Sequence, residues 1–111
     1  MEIRDNENLC IYAPLSPKLN SYESKRLFNE LANDSRIVGI DLSYVCDCTI
    51  DFIEELKALS KIKNIGIFNI PSDIFTLFNF MNLDKTAELY VSELDFLEGS
   101  RKLINRKFAV V

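Results

Sequence analysis

The chain has 111 residues, of which 48% are hydrophobic and 27% charged, and its 17 acids against 13 Lys and Arg give a formal charge of −4. A chain of this length buries about two-thirds of its unfolded surface, so we expect residues 1–111 to form one domain, with a core over about residues 8–104. The acidic balance argues against nucleic acid as a partner, because binding to phosphate backbones depends on Lys and Arg. His is absent, which removes the commonest general base near neutral pH and the Ser-His and Cys-His nucleophile pairs.

The beginning of the sequence and its cysteines predict a cytoplasmic protein. Met1–Glu7 contains acids and no apolar run, so it is not a secretory signal, and no later stretch approaches the ~20 apolar residues of a membrane span. Cys10, Cys46 and Cys48 are an odd number of cysteines, which favours reduced thiols that pack as small apolar residues. No fourth Cys or His completes a zinc or copper site, so we expect neither a metal nor a cofactor.

Strand and helix patterns alternate from the beginning of the chain. The first strong strand pattern covers residues 8–13 and is ended by Pro14, and Ile3 marks a short strand before it. The next segment is predicted to be a helix that Asn20 and Glu23 open with a capping box. Its apolar stripe consists of residues at helical spacing, namely Leu27, Phe28, Leu31 and Ala32.

The alternation continues to the end of the sequence. Residues 36–42 are nearly all apolar, the pattern of a central strand that is covered on both faces. The later elements are a helix from about Ile50 to Lys61, a strand over 64–70, a helix from Pro71-Ser72 to about Met81, a strand over 88–91, and a helix of about Glu93 to Ile104 capped by Ser92. Alternation of this kind implies strand-helix-strand crossovers. We therefore predict a small α/β domain with a mostly parallel sheet of four to five strands, about four helices, and an antiparallel pair at one edge.

The middle of the sequence carries a resemblance to a known family. From Arg36 to Leu59 it reads RIVGIDLSYVCDCTIDFIEELKAL, in which a buried strand ending in Ile40-Asp41-Leu42 leads to Asp47-Cys48-Thr49-Ile50 at a helix start. This arrangement resembles the centre of a STAS domain, the family of anti-sigma factor antagonists. In that family the strand ends in a hydrophobic-Asp-Leu unit and an Asp-Ser-Ser-Gly loop begins the helix.

The resemblance extends over nearly the whole chain. Residues 66–74 are similar to the next strand and helix opening of the family, and residues 80–84 are similar to its helix-ending turn. The order of elements matches from about Asn8 to Ile104. The resemblance therefore implies a STAS-like fold.

The loop after the central strand is the implied regulatory site. Family members that act as phosphorylation switches are modified on the Ser, sometimes Thr, that follows the loop Asp, and this position is Cys48 here. A thiol is not a substrate for a Ser/Thr kinase, and we expect Cys48 to be a small spacer, although a redox-sensitive thiol is the alternative. The neighbouring Thr49 is displaced by one residue and is expected to cap the helix. The resemblance implies that Asp47, Thr49 and Asp51 would contact the protein that the family member binds.

The helix over 74–81 is unusually rich in phenylalanine. Its core face would consist of residues at helical spacing, namely Ile74, Leu77, Phe78 and Met81, which leaves Phe75 and Phe80 beyond it. One interpretation is a broad core face. The other is an apolar contact surface beside the Asp47 loop, with Phe75 in the partner interface.

The resemblance implies a non-enzymatic interaction domain. The family's partner is an anti-sigma factor with a kinase-like ATP-binding fold, engaged in a bacterial-type partner switch that regulates transcription. An alternative is a regulatory subunit bound to the ATPase of an ABC lipid-transport system, for which a Thr in the loop is suitable, and a third is an orphan structural α/β domain. The sequence leaves open whether the domain forms a homodimer.

Overall fold

The structure, a computed structural model, describes residues 1–99. Its strands are β1 Glu2–Asp5, β2 Leu9–Ala13, β3 Lys18–Leu19, β4 Ile37–Asp41, β5 Asp47–Cys48, β6 Ile65–Phe68 and β7 Glu88–Leu89. Its helices are α1 Lys25–Asn33, α2 Ile50–Ser60, α3 Ser72–Phe80 and α4 Glu93–Glu98, with a short 3-10 helix at Leu83–Lys85. Among these helices of residues 1–99, none has the length and apolar character needed to cross a membrane.

The strands confirm a small α/β domain with a mostly parallel sheet. Five strands pair in the order β1-β2-β4-β6-β7, and β4 is central as predicted. Only β1 and β2 are antiparallel, while the other three pairings of this sheet are parallel. The carboxyl ends of β2, β4 and β6 therefore meet at one edge, which is where the loop between β4 and α2 begins.

Helices α1, α2 and α3 cover one face of this sheet. Ile40 of β4 and Ile67 of β6 are direct partners in the parallel register and have no exposed surface. Both belong to the main core cluster together with Phe52 and Ile53 of α2 and Phe78 of α3. Ile40 and Ile67 therefore lie on adjacent parallel strands beneath α2 and α3.

Helix α4 covers part of the opposite face through one aromatic ring. A Cβ atom built on Gly39 or Gly66 would lie 2.6 or 2.5 Å from the ring of Phe96. The same ring stacks on Phe68 with a centroid distance of 5.3 Å and meets Tyr90 edge-on at 5.6 Å. Glycine at these two positions allows the helix to approach the strands this closely.

Two predicted helix boundaries are wrong. The side-chain oxygen of Asn20 accepts a hydrogen bond from the Glu23 N–H at 2.7 Å, but this bond closes a turn before α1, which begins at Lys25. Helix α4 begins after Ser92 as predicted but ends at Glu98, because Gly99 adopts a left-handed conformation with φ 65°. The rest of the predicted last helix, up to Ile104, lies outside the described residues.

The two serine caps are expected to differ in their effect on stability. The hydroxyl of Ser92 accepts from the Asp95 N–H, whereas the buried hydroxyl of Ser24, at the start of α1, has no hydrogen-bond partner within residues 1–99. Ser92→Ala should therefore lower the free energy of unfolding by about 1 kcal/mol. Ser24→Ala should leave it unchanged or raise it by up to about 1 kcal/mol, because a buried unpaired hydroxyl is destabilising. Urea unfolding measures both, and equal losses would show that the Ser24 hydroxyl has a partner.

Candidate functional site

Backbone hydrogen bonds hold the loop between β4 and α2 in place. The N–H groups of Cys46 and Asp47 both donate to the Pro17 carbonyl, at 2.7 and 3.1 Å, and the Thr49 N–H donates to the Leu19 carbonyl at 2.8 Å. These bonds accompany the short parallel pairing of β3 with β5, which the sequence did not predict. The loop is therefore fixed against residues 17–19 before any partner binds.

The three residues predicted for the regulatory loop have different environments. Asp47 is exposed, and its carboxylate accepts a hydrogen bond from the Cys48 N–H at 2.9 Å. Cys48 is only 6% exposed. Thr49 is half-buried, and its hydroxyl accepts from the Phe52 N–H at 3.2 Å, which makes it the N-cap of α2. The predicted cap is confirmed, so the Thr49 hydroxyl is already engaged with the helix.

The environment of Cys48 keeps its thiol protonated near neutral pH. Burial, together with the neighbouring Asp47 carboxylate, raises the pKa of this thiol to about 11. Because the thiolate is the reactive form, this argues against a redox role and agrees with a small buried spacer. Cys10 is also buried, whereas Cys46 is exposed, contrary to its expected packing role.

Large apolar side chains flank the exposed acids of the loop. Tyr44 is 57% exposed and Ile50 is 56% exposed, and Asp51 lies exposed in the first turn of α2. We call residues Tyr44, Cys46, Asp47, Ile50 and Asp51 the loop surface. Tyr44 and Ile50 were not among the partner-binding residues predicted from the sequence. The exposure of Ile50 was predictable, because it lies outside the apolar stripe of α2.

Helix α3 lies next to this loop but does not present Phe75 as an exposed residue. The helix contacts β5, and Asp73 is exposed in its first turn. Phe75 is half-buried and packs against the main core, which agrees with the broad core face. Phe80 is 84% exposed, but it lies at the end of α3 beside Lys57 of α2 and Lys61, which follows α2. The two phenylalanines therefore do not form an exposed aromatic surface beside Asp47.

The buried carboxylate of Asp41 anchors the start of the loop. It accepts hydrogen bonds from the Ser43 N–H at 2.9 Å, the Asn69 amide at 3.1 Å and the Arg4 guanidinium at 3.1 Å. Burial alone would raise the pKa of Asp41, but bonds from Ser43, Asn69 and Arg4 outweigh it and lower that pKa below its usual value. The ionised Asp41 carboxylate therefore links β1, β4 and the segment after β6 through hydrogen bonds.

Neither the family models nor the curated proteins supply a relative from which a function can be transferred. No protein-family model matches the chain, and no curated protein matches it. Within residues 1–99, no three His, Cys, Asp or Glu side chains are grouped in a way that could hold a metal ion.

Proposed function

We propose that this chain is a non-enzymatic, cytoplasmic interaction domain that resembles anti-sigma factor antagonists and binds a kinase-like anti-sigma factor through the loop surface. The observation that carries the proposal is the exposed Asp47 between exposed Tyr44 and Ile50, on a loop fixed by backbone hydrogen bonds. The resemblance of residues 36–59 to the centre of a STAS domain supports the class of partner. The three free cysteines support a reducing compartment.

The loop surface has the composition of a protein-binding site. Aromatic and aliphatic anchors such as Tyr44 and Ile50 supply most of the affinity at interfaces, and charges at their border favour a complementary partner. Asp47 and Asp51 would attract cationic or amide groups. Because the backbone of this loop is held by Pro17 and Leu19, little conformational entropy is lost on binding.

Binding by this loop would not be switched by phosphorylation in the way its resemblance suggests. Cys48 has the acceptor position but no hydroxyl, and it is buried. The Thr49 hydroxyl accepts a hydrogen bond from the first turn of α2, and a phosphate there would require this cap to be broken. We therefore propose an antagonist that stays competent to bind its partner without a modification at this loop.

Charge reversal at Asp47 is the direct test of the interface. Asp47→Lys should weaken binding to a purified kinase-like anti-sigma factor by at least ~10-fold in calorimetric titration, since a favourable charge becomes a repulsive one. The melting temperature should change little, because the Asp47 side chain is exposed.

A matched control separates this local effect from net charge. Glu7→Lys makes the same change of charge at an exposed residue of the turn between β1 and β2, and its affinity should equal that of the unaltered protein. Equal weakening by both variants would show a general electrostatic effect, and no weakening by Asp47→Lys would contradict the proposed interface. Reproducible capture of an ABC ATPase instead of the anti-sigma factor would favour the regulatory-subunit alternative.

A further inference from the structure

The carboxyl-terminal half of α2 exposes apolar groups on both sides of Ala58. One shallow groove between α1 and α2 is lined by Phe28, Leu59 and Ile62, and a second groove beside the end of α3 is lined by Phe80 and Met81. Ala58 lines both grooves and is exposed. Ile62 is 80% exposed and Phe80 is 84% exposed. Exposed apolar side chains grouped on one helix layer are a feature of contact surfaces.

Two opposite charges lie on the same side of this helix. At about 100° per residue, Glu54 and Lys61 project within about 20° of each other, and both line the groove beside Phe80. Lys61 directly follows α2, and the two residues are separated along the helix axis by roughly 10 Å, which is too far for them to pair within one copy. Neither forms an ion pair with another residue of the range 1–99.

We propose that two copies of this chain associate through the outer face of α2, with the two helices antiparallel about a two-fold axis next to Ala58. This axis reverses the direction of the helix from one copy to the other. It does not exchange the two flanks of the helix, so the flank with Glu54 and Lys61 in one copy lies beside the same flank of the other copy. Glu54 of one copy therefore faces Lys61 of the other, and the second pair follows by symmetry. The small side chain of Ala58 at the centre permits close approach of the helices.

The positions of Glu54 and Lys61 favour a second copy over an unrelated partner. Glu54 and Lys61 lie at nearly equal distances along the helix on either side of Ala58, so the two-fold exchanges their positions. A different partner imposes no such relation between two residues of this chain. Association would also remove Ile62 and Phe80 from water, which supplies the apolar part of the interface.

This association goes beyond the proposed function and is independent of it. The loop surface is formed at the amino-terminal end of α2 and in the preceding loop, whereas Ala58, Lys61 and Ile62 lie at the carboxyl-terminal end of that helix and just after it. Its test needs no partner protein, so it can fail while the proposed function holds.

A charge swap measured by sedimentation equilibrium on the 111-residue chain tests the pairing. The unaltered chain should be a dimer, and Glu54→Lys or Lys61→Glu alone should raise the dimer dissociation constant at least ~10-fold, because each places two like-charge contacts in the interface. The double variant Glu54→Lys/Lys61→Glu should return to within ~3-fold of the original value. Glu7→Lys and Lys25→Glu, at exposed positions outside this face, should not change it.

Cross-linking gives a second measurement that does not depend on charge. Ala58→Cys in a Cys46→Ser background should form an intermolecular disulfide under mild oxidation, because the two copies of residue 58 lie beside the axis. The same background with Glu7→Cys, an exposed site in the turn between β1 and β2, should not cross-link. A monomer at all concentrations, or a dimer that neither responds to the single reversals nor is restored by the double variant, would overturn the proposal.

Discussion

Replacing Ile40 or Ile67 by alanine is expected to lower the free energy of unfolding by about 2–5 kcal/mol, because each change leaves a cavity in the centre of the core. The two side chains are partners across the β4–β6 pairing and have no exposed surface. They pack beneath α2 and α3, whose closely fitted side chains can relax only partly into the space. A loss of this size is a large fraction of the stability of a small domain.

The matched control for this prediction lies on the same strand. Ile37 of β4 is 47% exposed, so Ile37→Ala should cost no more than about 1 kcal/mol. Urea unfolding at constant pH compares the three variants with the unaltered protein. A small loss for Ile40→Ala together with a large loss for Ile37→Ala would mean that β4 faces the helices with its other side.

Elements defined by a long apolar pattern were predictable from the sequence. The strand around Ile40 and the helix around Phe52 have enough buried residues to fix both their type and the face that meets the core. Strands β3 and β5 have two residues each and carry no periodicity, so their pairing became visible only in three dimensions. The start of α1 was misplaced because the bond between Asn20 and Glu23 closes a turn as readily as it caps a helix.

The site was predictable only where local chemistry determines it. The cap by Thr49 follows from a hydroxyl placed before an apolar helix, and the structure confirms it. The exposure of Phe80 and the half-burial of Phe75 depend on how α3 packs against its neighbours, which a helical period alone leaves open. The exposure of Tyr44 depends in the same way on how the loop is held against residues 17–19.

Replacing Asp34 by alanine is expected to be the most damaging change outside the apolar core. The Asp34 carboxylate is buried after α1, where it accepts a hydrogen bond from the Tyr12 hydroxyl at 2.6 Å and from the Arg36 side chain at 2.9 Å. Asp34→Ala leaves the buried Tyr12 hydroxyl without this partner and removes the anion that orients Arg36. We expect a loss of about 2–4 kcal/mol, most of it from the Tyr12 side, because the guanidinium is partly exposed and can be rehydrated.

The same carboxylate should make stability depend on pH in the acid range. Hydrogen bonds from Arg36 and from Tyr12, which outweigh the effect of burial, hold the pKa of Asp34 well below its usual range. Between its ordinary value of about 4 and the lower folded-state pKa, the unfolded chain binds a proton that the folded chain does not. The stabilisation by Asp34 is therefore complete above about pH 4 and is lost as the pH falls below that value.

Urea unfolding from pH 7 down to about pH 2 checks both parts of this prediction. Asp34→Ala should be less stable than the unaltered protein at pH 7, and the difference should shrink as the pH falls below about 4. Glu7→Ala, which removes an exposed carboxylate, should follow the unaltered protein within about 0.5 kcal/mol throughout. A constant difference between Asp34→Ala and the unaltered protein at every pH would show that Asp34 contributes through packing and not through its charge.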